Sequence, residues 1–198
     1  MNLPSSAVPN LDFTKCMTIL CHDFAQRVPD LNHIDLDRVL VTVSKTRKNV
    51  PHGLYAAVTP LRFPGRSLTG RFRGKSMAMP IVRNSDGVQQ YYIMTFYVPR
   101  FLQIPLSEKL ETVAHELWHI SPDFDGTIRR FGMKNRVHGP SQAEYDSQVR
   151  TLVDQYLANK PKATAYSFLS YGLSELGRRY GSITGLKITH PKLIPIPA

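Results

Sequence analysis

The spacing of apolar and polar residues predicts an N-terminal helix followed by a small sheet. Apolar side chains recur at helical spacing over residues 11–28, and Pro29 ends that helix. Four segments rich in β-branched or aromatic residues predict strands, and the turn signal Asn84–Gly87 precedes the last of them. The predicted strands are residues 38–44, 53–58, 76–83 and 90–98.

The second half of the chain has the apolar spacing of helices. Residues 106–119 form one helix in this prediction, with Ser107 as its cap, and Ser141 caps a second. A third is predicted over residues 163–180 and ends at Gly181. Together the elements predict an α+β fold: an N-terminal helix, a small mainly antiparallel sheet, an HExxH helix and C-terminal helices. We expect one domain over residues 1–182 and an extended, proline-containing tail over 183–198.

The sequence His115-Glu-Leu-Trp-His119 has the spacing of a zinc site with its own general base. Residues four apart lie on the same face of a helix, so both imidazoles can bind one ion. Glu116 between them can reach a metal-bound water. The apolar residues of this helix fall on the opposite side, which we expect to face the core.

A catalytic zinc ion usually takes three protein ligands and one water. The leading candidate for the third ligand is His138, which ends a loop punctuated by glycines and directly precedes a helix. Glu144 on that following helix and Asp125 in the loop stay open as alternatives. Asp125 otherwise fits a hydrogen-bond partner for a ligating imidazole.

Positive charge is concentrated in one part of the chain. The net charge is +10, and residues 38–85 contain ten Lys or Arg residues and no Asp or Glu. Within this stretch Phe63 and Phe72 alternate with arginines and glycines, a composition suited to nucleic-acid phosphates and single-stranded bases. An acidic protein substrate and a solvated basic loop are the alternatives. The candidate nucleic-acid-binding residues are Arg62, Arg66, Arg71, Arg73 and Lys75.

The rest of the composition favours a cytoplasmic protein. Residues 1–10 have neither a basic nor an apolar signal-peptide region, and no apolar run reaches membrane-spanning length. Cys16 and Cys21 are too few for a disulfide scaffold, so we expect them to be structural thiols.

The metal-site residues give the chain a family resemblance. The motif at residues 115–119, His138-Gly-Pro140 and the helix after it, with Tyr145 and Val149, resemble SprT-like zinc metallopeptidases. Residues 120–131 are also similar to metallopeptidases from bacteria and phages. The resemblance implies a zincin-like fold and proteolysis of DNA-bound proteins, and the basic stretch agrees with DNA as a partner.

These observations predict a zinc-dependent peptidase. Zinc would activate a water molecule, Glu116 would take its proton, and a nearby donor would stabilise the oxyanion, with Arg129, Arg130 and Tyr145 as candidates. Two other functions stay open. One is a basic nucleic-acid-binding protein with a structural zinc site, and the other is a zinc hydrolase of non-peptide substrates.

Overall fold

The computed structural model describes residues 10–45, 53–132, 137–138 and 141–197. These residues form five α-helices and eight short strands, joined by loops and 3₁₀ turns. The helices are α1 Phe13–Arg27, α2 Arg100–Gln103, α3 Leu106–Trp118, α4 Gln142–Ala158 and α5 Leu173–Tyr180. The strands are β1 Leu11–Asp12, β2 Val39–Lys45, β3 Ala56–Pro60, β4 Thr69–Phe72, β5 Lys75–Ala78, β6 Tyr92–Val98, β7 Ile183–Thr184 and β8 Ile194–Pro195.

The main sheet has the strand order β2-β6-β3 and packs against the helices. Strand β6 pairs parallel with β2 and antiparallel with β3. Its residues Tyr92 to Phe96 are all buried, as expected for a central strand covered on both faces. Two smaller sheets, β1-β7 and β4-β5-β8, lie beside it. Three of the five strand pairings are antiparallel, and the α+β prediction is confirmed.

The N-terminal helix supplies much of the core. Asp12 caps α1 by accepting a hydrogen bond from the backbone N–H of Lys15 at 3.0 Å. Phe24 is fully buried and stacks on Tyr156 of α4, with ring centroids 3.9 Å apart. Cys21 is also buried, and both cysteines are free thiols. This packing fixes α1 against the helices that carry the candidate site.

The predicted helix over residues 163–180 is wrong in its first half. Two 3₁₀ turns occupy this region, and α5 begins only at Leu173. Just before α5, the buried ammonium group of Lys109 donates to the carbonyl oxygens of Leu169 and Tyr171 at 2.7 and 3.3 Å. Those carbonyls would otherwise accept helical hydrogen bonds. Gly181 ends α5 at a φ of +66°, as predicted.

The C-terminal segment is extended and contacts all three sheets. Strand β7 pairs with β1, and β8 pairs with β5. Between them, His190 contacts the sheet through hydroxyl groups, at 3.1 Å from Thr95 Oγ1 and 3.4 Å from Thr59 Oγ1. Among the described residues no helix has the length and apolar character needed to cross a membrane.

Candidate metal centre

Helix α3 carries the HExxH motif and begins two residues earlier than a cap at Ser107 would place it. Pro105 holds the N-cap position and Ser107 lies inside the helix, so that part of the prediction is wrong. Leu110, Val113 and Leu117 are at most 3% exposed and anchor the helix in the core. The side facing away from this apolar stripe carries the two histidines, as the sequence spacing predicted.

The chain after α3 folds back along the helix end. The backbone N–H of Arg129 donates to the carbonyl oxygen of His119 at 2.7 Å. Tyr92 holds the loop in place, because its hydroxyl accepts from the N–H of Gly126 at 3.0 Å and donates to the carbonyl of Thr127 at 2.9 Å. Gly126 has a φ of +83° and packs against the Arg62 side chain. These contacts hold residues 126–129 in a defined conformation.

Helix α4 brings Tyr145 to the histidines. Ser141 caps the helix through the backbone N–H of Glu144 at 3.1 Å, as predicted. One turn later the Tyr145 hydroxyl lies 3.1 Å from His119 Nδ1 and 3.4 Å from the carbonyl oxygen of His115. A carbonyl oxygen can only accept, so the hydroxyl donates to it and accepts from His119 Nδ1–H. This tautomer leaves a lone pair on His119 Nε2.

The structure brings His115, His119 and His138 together. Nε2 of His119 lies 2.9 Å from Nε2 of His115 and 3.3 Å from Nε2 of His138. One ring nitrogen from each of the three lies within 4.8 Å of the others. Three imidazole nitrogens around a tetrahedral zinc ion, each about 2.05 Å from it, would be about 3.3 Å apart. The donor set and its spacing therefore fit a metal ion.

Burial favours the neutral form of the His115 and His119 imidazoles. It lowers the pKa of His115 to about 4, with a smaller contribution from His138, while Asp146 acts in the opposite direction. Burial also lowers the pKa of His119 to about 3, and its neighbouring histidines add to this effect. Neutral imidazole is the form that binds metal ions, so no proton has to be displaced from these two rings at neutral pH.

Glu116 is 6% exposed and lies between the histidines on α3. Burial raises the pKa of its carboxyl group to about 7, and a hydrogen bond from the backbone N–H of Val58 acts in the opposite direction. A carboxyl group with a pKa near 7 can accept a proton and release it again at neutral pH.

Two cavities open beside His115 and Glu116, and both are bordered by β3. One has a volume of about 310 Å³ and extends towards the start of α3. The other has a volume of about 270 Å³ and also contains His119, His138 and Arg130. The two cavities share the lining residues Leu54, Ala56, His115 and Glu116, and together they are called the cleft below.

Strand β3 presents its main chain to this cleft. In the part of the chain that the structure describes, β3 is an edge strand. The hydrogen bonds of Tyr97 N–H to Tyr55 and of Leu61 N–H to Tyr91 fix which residues of β3 face β6. By the alternation of an antiparallel ladder, Ala56 and Val58 direct their N–H and C=O groups to the free edge. No residue of β3 was a predicted site residue, because no sequence signal specifies this register.

The alternative metal ligands lie outside the histidine group. Glu144 is exposed in the first turn of α4. Asp125 Oδ1 accepts hydrogen bonds from the N–H and hydroxyl of Thr127, at 3.0 and 2.7 Å, as a turn residue does. Neither belongs to the metal-binding group found among the described residues.

The three candidate oxyanion donors occupy different places. The Arg129 guanidinium stacks on Trp118 at 3.6 Å and donates to that residue's carbonyl at 2.7 Å, so it closes the end of α3. The Tyr145 hydroxyl is bound to His119. Arg130 lines the second cavity, beside His138.

The candidate nucleic-acid-binding residues fall into two groups. Arg62 is 6% exposed, with its guanidinium over the Tyr91 ring at 4.7 Å, so it is not a surface cation. Residues 69–78 of the basic stretch form a β-hairpin, β4-β5, with Arg73 and Gly74 at its turn. Phe72 is 47% exposed on it, and Arg47 and Lys48 of the basic stretch lie outside the described residues. The exposed cations of this hairpin region are Arg66, Arg71, Arg73 and Lys75.

Comparison with known proteins adds no family assignment. The chain matches no protein-family model, no curated protein and no solved structure. The resemblance to SprT-like metallopeptidases therefore stays a prediction carried by the motif residues, of which Gly139 and Pro140 lie outside the described part of the chain.

Proposed function

We propose that this protein is a zinc-dependent metallopeptidase that uses Glu116 as its general base. The observation that carries the proposal is the group of three histidine nitrogens with a buried carboxyl group beside it, both lining one cleft. His115, His119 and His138 would hold the zinc ion. Bound zinc supplies an activated water and polarises the carbonyl group under attack.

The residues around the metal would divide the remaining work. Glu116 takes the proton of the attacking water and then donates it to the leaving amine, which its raised pKa favours. Tyr145 holds His119 in the tautomer that presents Nε2. Arg130 is the candidate donor to the oxyanion because it lines the same cavity as Glu116.

The edge of β3 supports a peptide as the substrate. Ala56 offers its N–H and C=O groups along the cleft and Val58 offers its C=O group, because the Val58 N–H is bound to Glu116, and an extended peptide can pair with these groups as an added strand. Such pairing would hold the peptide main chain beside the metal group whatever its side chains are. A hydrolase of small non-peptide substrates does not need an exposed strand edge beside its metal ion.

The ligand count favours a catalytic ion over a structural one. Structural zinc sites in proteins have four protein ligands, and catalytic sites have three with an open position. The group formed by the described residues has three members, and the cleft reaches it. An open position on a cleft is what hydrolysis requires.

The test is cleavage of an unstructured protein such as casein by zinc-loaded protein, compared with the Glu116→Gln variant. We expect the variant to retain one zinc ion per chain and to lose at least about a hundredfold in turnover, the usual contribution of a general base. His115→Ala should lose both zinc and turnover. Equal turnover by wild type and metal-loaded Glu116→Gln would contradict the mechanism.

We infer a second role, binding of nucleic acid, from the β4-β5 hairpin. Phe72 is exposed with Arg73 over its ring at 5.3 Å, and Arg66 and Arg71 are exposed nearby in the chain. An exposed aromatic ring among cations is suited to stacking a base while the cations contact phosphates. Nucleic-acid binding would bring the peptidase close to proteins bound to the same strand.

A charge-matched comparison tests this role. We expect the triple variant Arg66→Ala/Arg71→Ala/Arg73→Ala to lose about tenfold or more in affinity for a fluorescein-labelled single-stranded oligonucleotide at 50 mM salt. The control removes three exposed cations elsewhere: Arg150, Lys160 and Lys162. Equal losses in both variants would show that net charge, and not the hairpin, attracts the oligonucleotide.

A further inference from the structure

The two halves of the cleft differ in charge. The 310 Å³ cavity, called the acidic cavity below, is lined by the carboxylates of Glu108, Glu111 and Asp146 and, within the described chain, by no Lys or Arg. The second cavity is lined by aliphatic residues and Arg130 in addition to the histidines and Glu116. These three carboxylates make the surroundings of this cavity negative, although the protein has a net charge of +10.

Two helices place these carboxylates beside the candidate metal group. Glu108, Glu111 and His115 follow one another at spacings of three and four, so they share one face of α3. Asp146 comes from α4, where it accepts a hydrogen bond from the Gln142 amide at 2.7 Å. Asp146 and His115 line the same cavity.

A cation at the rim does not cancel this charge. The Arg100 guanidinium donates to the carbonyl of Leu54 at 3.0 Å and lies against Gly53, and both of these residues border the acidic cavity. Among the described residues, one guanidinium at the rim opposes three carboxylates, and this excess of negative charge favours a cationic guest.

The cavity also connects to the group proposed to act on the peptide bond. Glu116 and His115 line its inner end, and Ala56 at the free edge of β3 lines its side. A peptide paired with β3 at the metal group would pass this cavity, close enough for a neighbouring side chain to enter it. The volume is at the lower limit for small-ligand pockets, which suits one long side chain better than a whole ligand.

We propose that the acidic cavity binds a lysine or arginine side chain of the substrate next to the scissile bond, so that the enzyme selects basic peptide segments. Since the selection is expressed through cleavage, it rests on the proposed function. The attraction is electrostatic and partly exposed to solvent, so salt should weaken the preference. The cation is expected on one side of the scissile bond only, because the second cavity is not acidic.

Cleavage mapping tests the preference. Zinc-loaded protein is incubated with a peptide mixture from a digested proteome, and the new termini are identified by mass spectrometry. We expect Lys or Arg enriched within two positions on one side of the cut. The Glu111→Gln/Asp146→Asn variant should lower the ratio of cuts at basic to neutral sites by about tenfold, and the Asp154→Asn control, an exposed change on α4, should leave it unaltered.

A binding measurement tests the acidic cavity separately from the peptidase activity. Heptapeptides of alanine with a central lysine or a central norleucine are titrated into zinc-loaded Glu116→Gln protein, and into the same protein with the two cavity carboxylates neutralised. Tighter binding of the lysine peptide by about fivefold, lost in the neutralised protein, supports the cavity assignment even if no cleavage is found. Cleavage without basic enrichment, or equal binding of both peptides, would overturn it and leave the peptidase proposal standing.

Discussion

The hydroxyl group of Tyr145 should control zinc affinity without touching the ion. Tyr145 is 4% exposed, and its hydroxyl is the partner of His119 Nδ1 at 3.1 Å. Tyr145→Phe keeps the ring and removes only that oxygen. His119 Nδ1–H is then buried without a partner, and the imidazole loses the contact that fixes its tautomer and orientation.

The size of the effect follows from two independent considerations. Leaving a buried donor unpaired costs about 1–3 kcal/mol. Removing the hydrogen-bond partner of a ligating histidine lowers metal affinity by about 10–100-fold, which corresponds to about 1.4–2.7 kcal/mol. The two ranges agree, so we expect Tyr145→Phe to raise the zinc dissociation constant by about 10–100-fold.

Tyr156→Phe is the matched control. Tyr156 lies on the same helix, is fully buried and donates from its hydroxyl to Asp23 at 2.8 Å. It is eleven residues further along α4, about 16 Å by helical rise. The same substitution there should lower thermal stability and leave zinc affinity unchanged. The assay is competition with a chromophoric zinc chelator, and equal zinc affinity for Tyr145→Phe and wild type would refute the proposed role of this hydroxyl.

Two further predictions concern stability. Gly126→Ala should destabilise the protein by about 2 kcal/mol or more, because φ is +83° and the added Cβ would collide with the Arg62 side chain. Gly74→Ala should destabilise it less, because Gly74 has a similar φ of +80° but no neighbouring atom within 4 Å. Thermal denaturation compares the two variants, and equal losses of stability would contradict a steric effect of Arg62. The metal-free protein should lose stability as the pH falls from about 6.5 towards 4, because the lowered pKa values of His115 and His119 make the unfolded chain bind more protons at those two groups, whereas the raised pKa of Glu116 acts in the opposite direction at one group only. Melting temperatures of chelator-treated protein at several pH values measure this, and the His115→Ala/His119→Ala variant should show a flatter profile.

The sequence predicted the elements of this fold better than their junctions. Regular apolar spacing located α1, α3 and α4 and the strands β2 and β6. It failed at residues 163–180, where the apolar spacing is helical but the buried ammonium of Lys109 takes two backbone carbonyls. That interaction joins residues about sixty positions apart, and no local pattern contains it.

The parts of the candidate site that could be predicted are those in which the spacing of residues along the chain brings their side chains together. His115, Glu116 and His119 form a unit within one helix, and His138 was the histidine that a glycine-punctuated loop could return to them. The roles of the β3 edge and of Asp146 depend on how distant segments pack, which spacing cannot give. Charge counting likewise found the basic stretch but could not show that Arg62 is buried.

Elemental analysis tests whether His115, His119 and His138 form a metal centre. Zinc per chain is measured on purified wild type and on His138→Ala after reloading and removal of excess metal. We expect about one zinc ion per chain in wild type and a marked loss in the variant. No zinc in wild type, or full retention in His138→Ala, would contradict the assignment of His115, His119 and His138 as the ligands.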